Sequence, residues 1–167
     1  MHPSNQTVLE KERKFRIDGF DTALIPAEAV RTDVVQTYLL SKDGTAERVR
    51  ARGDSNDVFV FTHTIKEPRS PGVSVEQERI ISHLEYTSLL AQADIARQPI
   101  HKTRWCFSYK GQYCELDVFK GKHEGLVMLE IEYDGDPESV EPPPFLGTVT
   151  DVTDNSKYSN YSLAKAV

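Results

Sequence analysis

Residues 8–16 read Val-Leu-Glu-Lys-Glu-Arg-Lys-Phe-Arg, which sets Glu10, Glu12 and Lys14 at alternate positions and Phe15 and Ile17 on the other parity. In a β-strand alternate side chains share a face, so two carboxylates and an amine stand in a row, with about 7 Å between i and i+2. Carboxylate oxygens bind hard cations, and an adjacent ammonium binds phosphate. Such a row suits a metal-bound polyphosphate. Taken alone, it is also what any amphipathic strand shows to water, so the question is whether other strands repeat it.

They do. Period-2 stretches separated by turn residues run over roughly 7–17, 36–42, 46–53, 57–66, 73–81, 101–109, 112–119 and 126–134. One face of these strands carries Glu10, Glu12, Lys14 and Arg16; Arg48, Arg50 and Arg52; Lys66; Glu76 and Glu78; Lys102 and Arg104; Glu115 and Asp117; and Glu130 and Glu132. The other carries Leu9, Phe15, Ile17, Val49, Phe61, Trp105, Phe107, Leu116, Val127, Leu129 and Ile131 among others. A solvated face usually mixes Ser, Thr, Asn and Gln with its charges. Here both signs recur at i, i+2 on strand after strand.

Eight strands with few helices predict an antiparallel sheet or barrel. An eight-stranded barrel is just wide enough to hold side chains and one small ligand. If the charged face points inward, the lumen must be wet and its charges paired or holding ions, because burying unpaired charge is costly. The apolar face then points outward and needs cover from helices or from a second subunit, which leaves room for a homodimer. Lys110-Gly111 reads as a two-residue turn. That turn would place Arg104 opposite Asp117 and Cys106 opposite Glu115, and would put Cys106 and Cys114 on opposite faces, where a disulfide is not expected.

The remaining elements are sparse. Ser82-His83-Leu84-Glu85 has a capping-box pattern and predicts a helix over about 83–96, closed by Pro99. A short helix is expected near 26–33, starting at Pro26. Pro142-Pro143-Pro144 reads as a rigid linker pinning a loop to the surface, and 155–165 is weakly helical. Asp43-Gly44 signals a further hairpin turn. With 167 residues, 38% hydrophobic and 28% charged, the chain is expected to form one globular domain. A net charge of −6 argues against a nucleic-acid partner. No apolar run approaches the ~18 residues of a membrane span, and no signal peptide is visible, so a cytoplasmic location is expected. The five histidines are scattered and read as structural or surface residues.

These charged pairs, in this order, resemble the CYTH superfamily, also called triphosphate tunnel metalloenzymes. The opening signature Glu-x-Glu-x-Lys matches Glu10, Glu12 and Lys14. Arg48-Val-Arg50, Thr64-Ile-Lys66, Glu76-Gln-Glu78, Lys102-Thr-Arg104, Glu115-Leu-Asp117 and Glu130-Ile-Glu132 follow in register, then Val149-Thr-Asp151 and Tyr158-Ser-Asn160. The resemblance covers nearly the whole chain and is similar to bacterial single-domain members. It implies a mainly β (α+β) fold: an eight-stranded antiparallel tunnel with a charged lumen, open at both ends, with helices outside and a C-terminal plug helix. It also implies a triphosphatase using Mg²⁺ or Mn²⁺.

On that resemblance, Lys14, Arg48, Arg50, Lys66, Lys102 and Arg104 are expected to bind the phosphates, with Lys157 at one end of the tunnel beside Tyr158. Glu10, Glu12, Glu130 and Glu132 are expected to hold the metal, and Glu76, Glu78, Glu115 and Asp117 to share it or hold a second ion. Glu10, Glu12, Lys14, Glu130 and Glu132 form the expected catalytic set. Trp105 has outward parity, which counts against a tryptophan-stacked thiamine site. No adenine-recognition feature favours a cyclase, and an acidic chain does not suit RNA. Inorganic tripolyphosphate needs only the charged lumen and is the expected small-molecule substrate. Adenylate cyclase, thiamine or nucleoside triphosphatase and a non-catalytic polyphosphate-binding module are the alternatives. A lipid-binding barrel would instead require Trp105 and Leu129 inside.

Overall fold

The computed structural model describes residues 6–166. Nine strands form one antiparallel sheet: β1 (Gln6–Asp18), β2 (Val30–Leu39), β3 (Ala46–Gly53), β4 (Phe59–Ser70), β5 (Val73–Ile81), β6 (Ile100–Tyr109), β7 (Gln112–Phe119), β8 (Val127–Glu132) and β9 (Thr148–Asp151). The order β5-β4-β3-β2-β6-β7-β8-β1 closes on itself because β1 also pairs with β5. The long first strand does the closing. Its residues Gln6–Lys11 pair with β5, Glu12–Arg16 pair with β8, and Phe15–Asp18 pair with β9. Closure leaves few ladder edges unpaired, the remaining ones being β9, which pairs only with β1, and the β8 side of the first residues of β1.

Two tight turns fix registers that matter to the lumen. Lys110 and Gly111 both have positive φ, 47° and 75°, the conformation of a two-residue hairpin turn. The resulting register sets Arg104 against Asp117 and Cys106 against Glu115. Gly72 turns β4 into β5 at φ +72°, and its carbonyl accepts from the Glu12 amide at 2.8 Å. A Cβ there would lie 2.3 Å from the Glu12 carbonyl oxygen, so only glycine lets this turn lie against the strand that carries Glu12.

The apolar residues pack on the outside of the wall. Phe15, Ile17, Phe107, Leu116, Val127, Leu129 and Ile131 form one buried cluster, with Trp105 half-buried against it. Each large side chain taken out of water contributes about 1.5–3 kcal/mol. The expected cover by helices is only partly found. α1 (His83–Leu89) shields Leu39, Val49 and Ile81 through Tyr86 and Leu89. The larger cluster is covered by irregular chain instead: Phe20, Ile25 and Ala29 from one loop, and Val140 and Leu146 from another. The triple proline is thus more than a surface linker, since it leads into a 3-10 turn (Pro144–Leu146) whose Leu146 is fully buried.

Three local expectations give way to tertiary pairing. The segment 26–33 is not helical; a 3-10 turn at Thr22–Leu24 precedes β2, which starts at Val30, upstream of the expected 36. The partner decides this, since β6 offers Cys106, Trp105 and Arg104 to Val30, Arg31 and Thr32. The helix expected to reach 96 ends at 89, followed by a 3-10 turn. Leu40 then bonds to Gln92 and Asp94 to Tyr38, drawing the chain into a bridge with β2. Ser82 does cap α1 as expected, accepting from the Glu85 amide at 3.1 Å. The third difference is β9, which no periodicity signals.

The lumen is closed at one end. Tyr38, Ile100, Phe119 and Met128 pack there with Val152, Tyr158, Tyr161, Leu163 and Ala164 of the C-terminal segment. That segment contains a 3-10 turn (Ser156–Tyr158) and the single-turn helix α2 (Asn160–Leu163). A plug is therefore present, and the expected passage open at both ends is not. No helix among the described residues is long and apolar enough to cross a membrane.

Candidate active site

Strand parity turns the charged residues inward, and their ion pairs divide the lumen into two parts. The first is built on β6, β7 and β8. Lys102 Nζ donates to Asp117 at 2.6 Å and to Asn160 of the plug at 3.1 Å. Arg104 donates through Nε and Nη2 to the two Asp117 oxygens at 2.7 and 2.8 Å, and through Nη1 to Glu115. Glu130 stands 3.3 Å from Lys14 and 3.8 Å from Arg104. All of Asp117, Lys102 and Arg104 are buried. Burial would raise the Asp117 carboxyl, but Arg104 and Lys102 hold it below its ordinary value. Glu130 is likewise held well below its ordinary value by Lys14, Arg104 and Lys102 against the effect of burial. Burial lowers the Lys102 ammonium to about 8 despite Asp117.

The second part lies on β1, β3, β4 and β5. Lys66 Nζ bonds Glu10 at 2.6 Å and lies 3.9 Å from Glu12 and 3.7 Å from Glu76. Arg48 reaches Glu76 only at 3.7 Å. Arg50 forms no ion pair among the described residues; its Nε and Nη2 donate to Gln36 Oε1 at 3.0 and 2.7 Å. Its guanidinium is pushed down by burial and by Arg48 and Arg104, yet an arginine stays charged in a protein. Arg48 Nε, Thr62 Oγ1 and Glu76 Oε2 are buried without a hydrogen-bond partner. Buried polar atoms are rarely left so, and a bound anion, cation or water would satisfy these three.

Around the open mouth the carboxylates crowd. Glu12 faces Glu132 directly across β1 and β8, and Glu115 faces Glu130 across β7 and β8. Like charges directly opposite are destabilising. Burial first, then Glu130, pushes the Glu12 carboxyl up to about 8. Glu132 is also raised, by burial and then by Glu115 and Glu10. Glu10 goes the other way, because Lys66 outweighs its burial. Glu78 accepts from Thr64 at 2.9 Å. Beside these carboxylates a cavity of about 600 Å³ lies between the start of β1 and the segments 111–113 and 139–140, with Glu10, Glu76, Glu78 and Glu132 along its lumen side.

Among the described residues no three acidic, His or Cys side chains are already gathered as a closed metal cluster. The donor set nonetheless fits a hard divalent cation. Besides burial, Glu130 and Glu10 push Glu12 up and Glu115 and Glu10 push Glu132 up; Glu76 keeps an oxygen without a hydrogen bond, and all are carboxylates. Mg²⁺ in particular retains waters and takes only one or two carboxylates plus phosphate oxygens.

Most residues expected from the sequence are thus gathered in the lumen. Two differ in place or employment. Lys157 is exposed in its 3-10 turn, and no ion pair joins it to the lumen among the described residues; Asn160 is the plug residue that reaches the site. Asp117 has its oxygens occupied by Lys102 and Arg104, which suits holding cations more than holding a metal. Gln36, Tyr38 and Thr62 join the site without any signal in the sequence. They share the lumen parity of Arg50 and Arg48 through the β2–β3 and β3–β4 registers, but uncharged residue types do not stand out in a strand.

No family model matches the chain. An inorganic triphosphatase of Nitrosomonas europaea is 29% identical over 161 residues, 95% of this chain and 98% of the relative. One of Acetivibrio thermocellus is 30% identical over 158 residues, 93% of each. A solved inorganic triphosphatase superposes with a TM-score of 0.64 at 27% identity, covering 98% of this chain and 99% of that one. A Hippeastrum protein described as a putative adenylyl cyclase with a dominant triphosphatase activity shares the fold, with a TM-score of 0.51 at 20% identity over 77% of this chain and 81% of that one. With relatives matching from end to end and a solved inorganic triphosphatase sharing the fold, the chain belongs to the CYTH superfamily of triphosphate tunnel metalloenzymes.

Proposed function

We propose that this protein hydrolyses inorganic tripolyphosphate with the help of Mg²⁺ or Mn²⁺. The observation that carries the reading is the division of the lumen. Buried cations lacking full carboxylate partners, Arg50 and Arg48, lie beyond a rim of mutually repelling carboxylates, Glu10, Glu12, Glu76 and Glu132. A polyphosphate with its counter-cation satisfies both at once. Both curated relatives are inorganic triphosphatases, which supports the same substrate.

In this mechanism Arg48, Arg50, Lys66 and Lys14 bind phosphate oxygens, the arginines by bidentate contacts and the lysines as point charges. Lys102 and Arg104 extend the positive field from behind, held by Asp117 and Glu115. Glu10, Glu12, Glu130 and Glu132 would hold the divalent ion, which when bound neutralises phosphate charge and polarises the bond to be broken. A rim carboxylate orients water for in-line attack on the terminal phosphorus. The fixed cations stabilise the charge that develops, and phosphoryl transfer draws most of its acceleration from such stabilisation and from positioning.

No lumen tryptophan is present to stack a thiazolium or purine ring, since Trp105 lies in the outer cluster. The test is phosphate release from tripolyphosphate, pyrophosphate, ATP and thiamine triphosphate, each with Mg²⁺, Mn²⁺ or EDTA. Tripolyphosphate is expected to be cleaved fastest, and EDTA to abolish release. Turnover that survives EDTA sinks the metal assignment, and cyclic AMP from ATP points to a cyclase.

A further inference from the structure

Arg50 and Arg104 are gripped in the same way by different chemistry. Each presents Nε and Nη2 to one acceptor group on a neighbouring strand. For Arg104 that group is the Asp117 carboxylate; for Arg50 it is the Gln36 amide. Gln36 lies directly opposite Arg50 across β2 and β3 and is fully buried. An arginine offers only donors, so the amide oxygen must face it. The amide nitrogen then points away and donates to the Tyr38 hydroxyl at 2.8 Å. Tyr38 is itself buried and packs edge-on against Tyr161 of the plug, with ring centroids 5.2 Å apart. The row Tyr161–Tyr38–Gln36–Arg50 has little freedom, and Arg50 Nη1 forms no hydrogen bond among the described residues.

We propose that Gln36 is a positioning residue of the anion site: it orients the Arg50 guanidinium through the same two donors by which Asp117 orients Arg104, but as a neutral acceptor, so that the Arg50 charge is left for a substrate phosphate to neutralise. The proposal rests on the polyphosphate reading above. A carboxylate at position 36 would pair with Arg50 and cancel the charge that phosphate needs. An apolar residue would leave the charge and lose the orientation. Either change weakens anion binding, by different routes.

The test compares wild type, Gln36→Glu and Gln36→Met. Tripolyphosphate affinity is measured by calorimetry in EDTA, where no turnover is expected; KM and kcat are measured with Mg²⁺, and thermal unfolding is followed in parallel. Gln36→Glu is expected to raise Kd and KM by about 10- to 100-fold, the worth of one charge-assisted contact, with no loss of Tm and a smaller change in kcat. Gln36→Met is expected to raise KM as well, with a lower Tm. Kd and KM of Gln36→Glu within twofold of wild type, whatever happens to Tm or to Gln36→Met, would show a structural role only and overturn the proposal. If Gln36→Glu does not fold, Tyr38→Phe takes its place, since it frees the amide nitrogen while keeping the ring. A several-fold rise in KM is then expected, and an unchanged KM overturns the proposal. Wild-type protein that binds no tripolyphosphate removes the polyphosphate reading and this proposal together; wild-type binding that Gln36→Glu leaves unaltered removes the proposal alone.

Discussion

The wall built from β6, β7 and β8 and the wall built from β3 and β4 both carry buried cations, yet those cations are partnered differently. Lys102 and Arg104 converge on Asp117, with Glu115 and Glu130 in support. Arg48 and Arg50 have one carboxylate at 3.7 Å and a neutral amide between them. Breaking a buried pair is costly because it strands a charge, whereas an unpaired buried cation is already stranded and waits for a partner. The first wall is thus built to hold itself together, the second to hold something else. Substitutions should separate the two walls by which quantity moves, stability or binding.

The largest effect is expected at Asp117. Asp117→Asn takes the shared carboxylate from two buried cations at once, leaving Lys102 with Asn160 and Arg104 with Glu115, and unfolding in denaturant should show a loss of about 3–5 kcal/mol. A loss below about 1 kcal/mol would mean that the first wall is not held by this pair. Next comes Glu12→Gln on the rim. Metal-dependent turnover is expected to fall roughly a hundredfold, the equivalent of a few kcal/mol of transition-state stabilisation. Its stability effect has the opposite sign. The Glu12 carboxyl is raised in the folded state to about 8, so the folded protein binds more protons than the unfolded chain between the ordinary value of 4.5 and that value. Wild-type stability therefore falls as pH rises through this window, and the penalty is complete above it. Metal-free Glu12→Gln should be more stable than wild type at about pH 9, by about 1–2 kcal/mol, and not at about pH 4. Equal Tm values at the higher pH would contradict the crowding of the rim.

Lys66→Ala should act mainly on binding, raising KM for tripolyphosphate about tenfold, as expected for one lost charge contact. An unchanged KM removes Lys66 from the substrate set and leaves it as the counter-ion of Glu10. A smaller effect is expected from pH at Lys102. Its ammonium is lowered by burial to about 8, so the cation is complete below that value and is lost above it. Metal-free affinity for tripolyphosphate should weaken several-fold from about pH 7 to about pH 9.5, and Lys102→Arg should flatten the profile, because arginine does not titrate there. The smallest effect belongs to Lys157, whose exposed side chain pairs with nothing among the described residues; Lys157→Ala should leave KM within twofold. A tenfold rise would bring the 3-10 turn back into the site.

The barrel is legible in the sequence because its signal is carried by charge at period 2, which no helical segment imitates. Glu10, Glu12 and Lys14, with their counterparts on the later strands, can be assigned to one face without knowing which strands are neighbours. The Lys110-Gly111 turn even fixes one register, and Arg104 does lie against Asp117. Neutral site residues are not legible. Gln36 and Thr62 look like ordinary strand residues until β2 and β4 are laid on either side of Arg50. The segment 26–33 misleads for a related reason: Pro26 favours a helix start, but β6 needs a partner over Val30–Gln36, and long-range pairing outweighs local propensity.

From the sequence alone it follows which charged side chains share a face, since alternation is a property of each strand. The alternation does not say which face turns inward; the closed barrel puts charge inside and hydrocarbon outside. Only the tertiary structure decided which charges close on one another and which stay open. That choice depends on strand order and stagger, which bring Asp117 to Arg104 but only Gln36 to Arg50. It also decided that one end is sealed, because the C-terminal segment is placed there by packing of Tyr38, Phe119 and Met128 that no local pattern encodes.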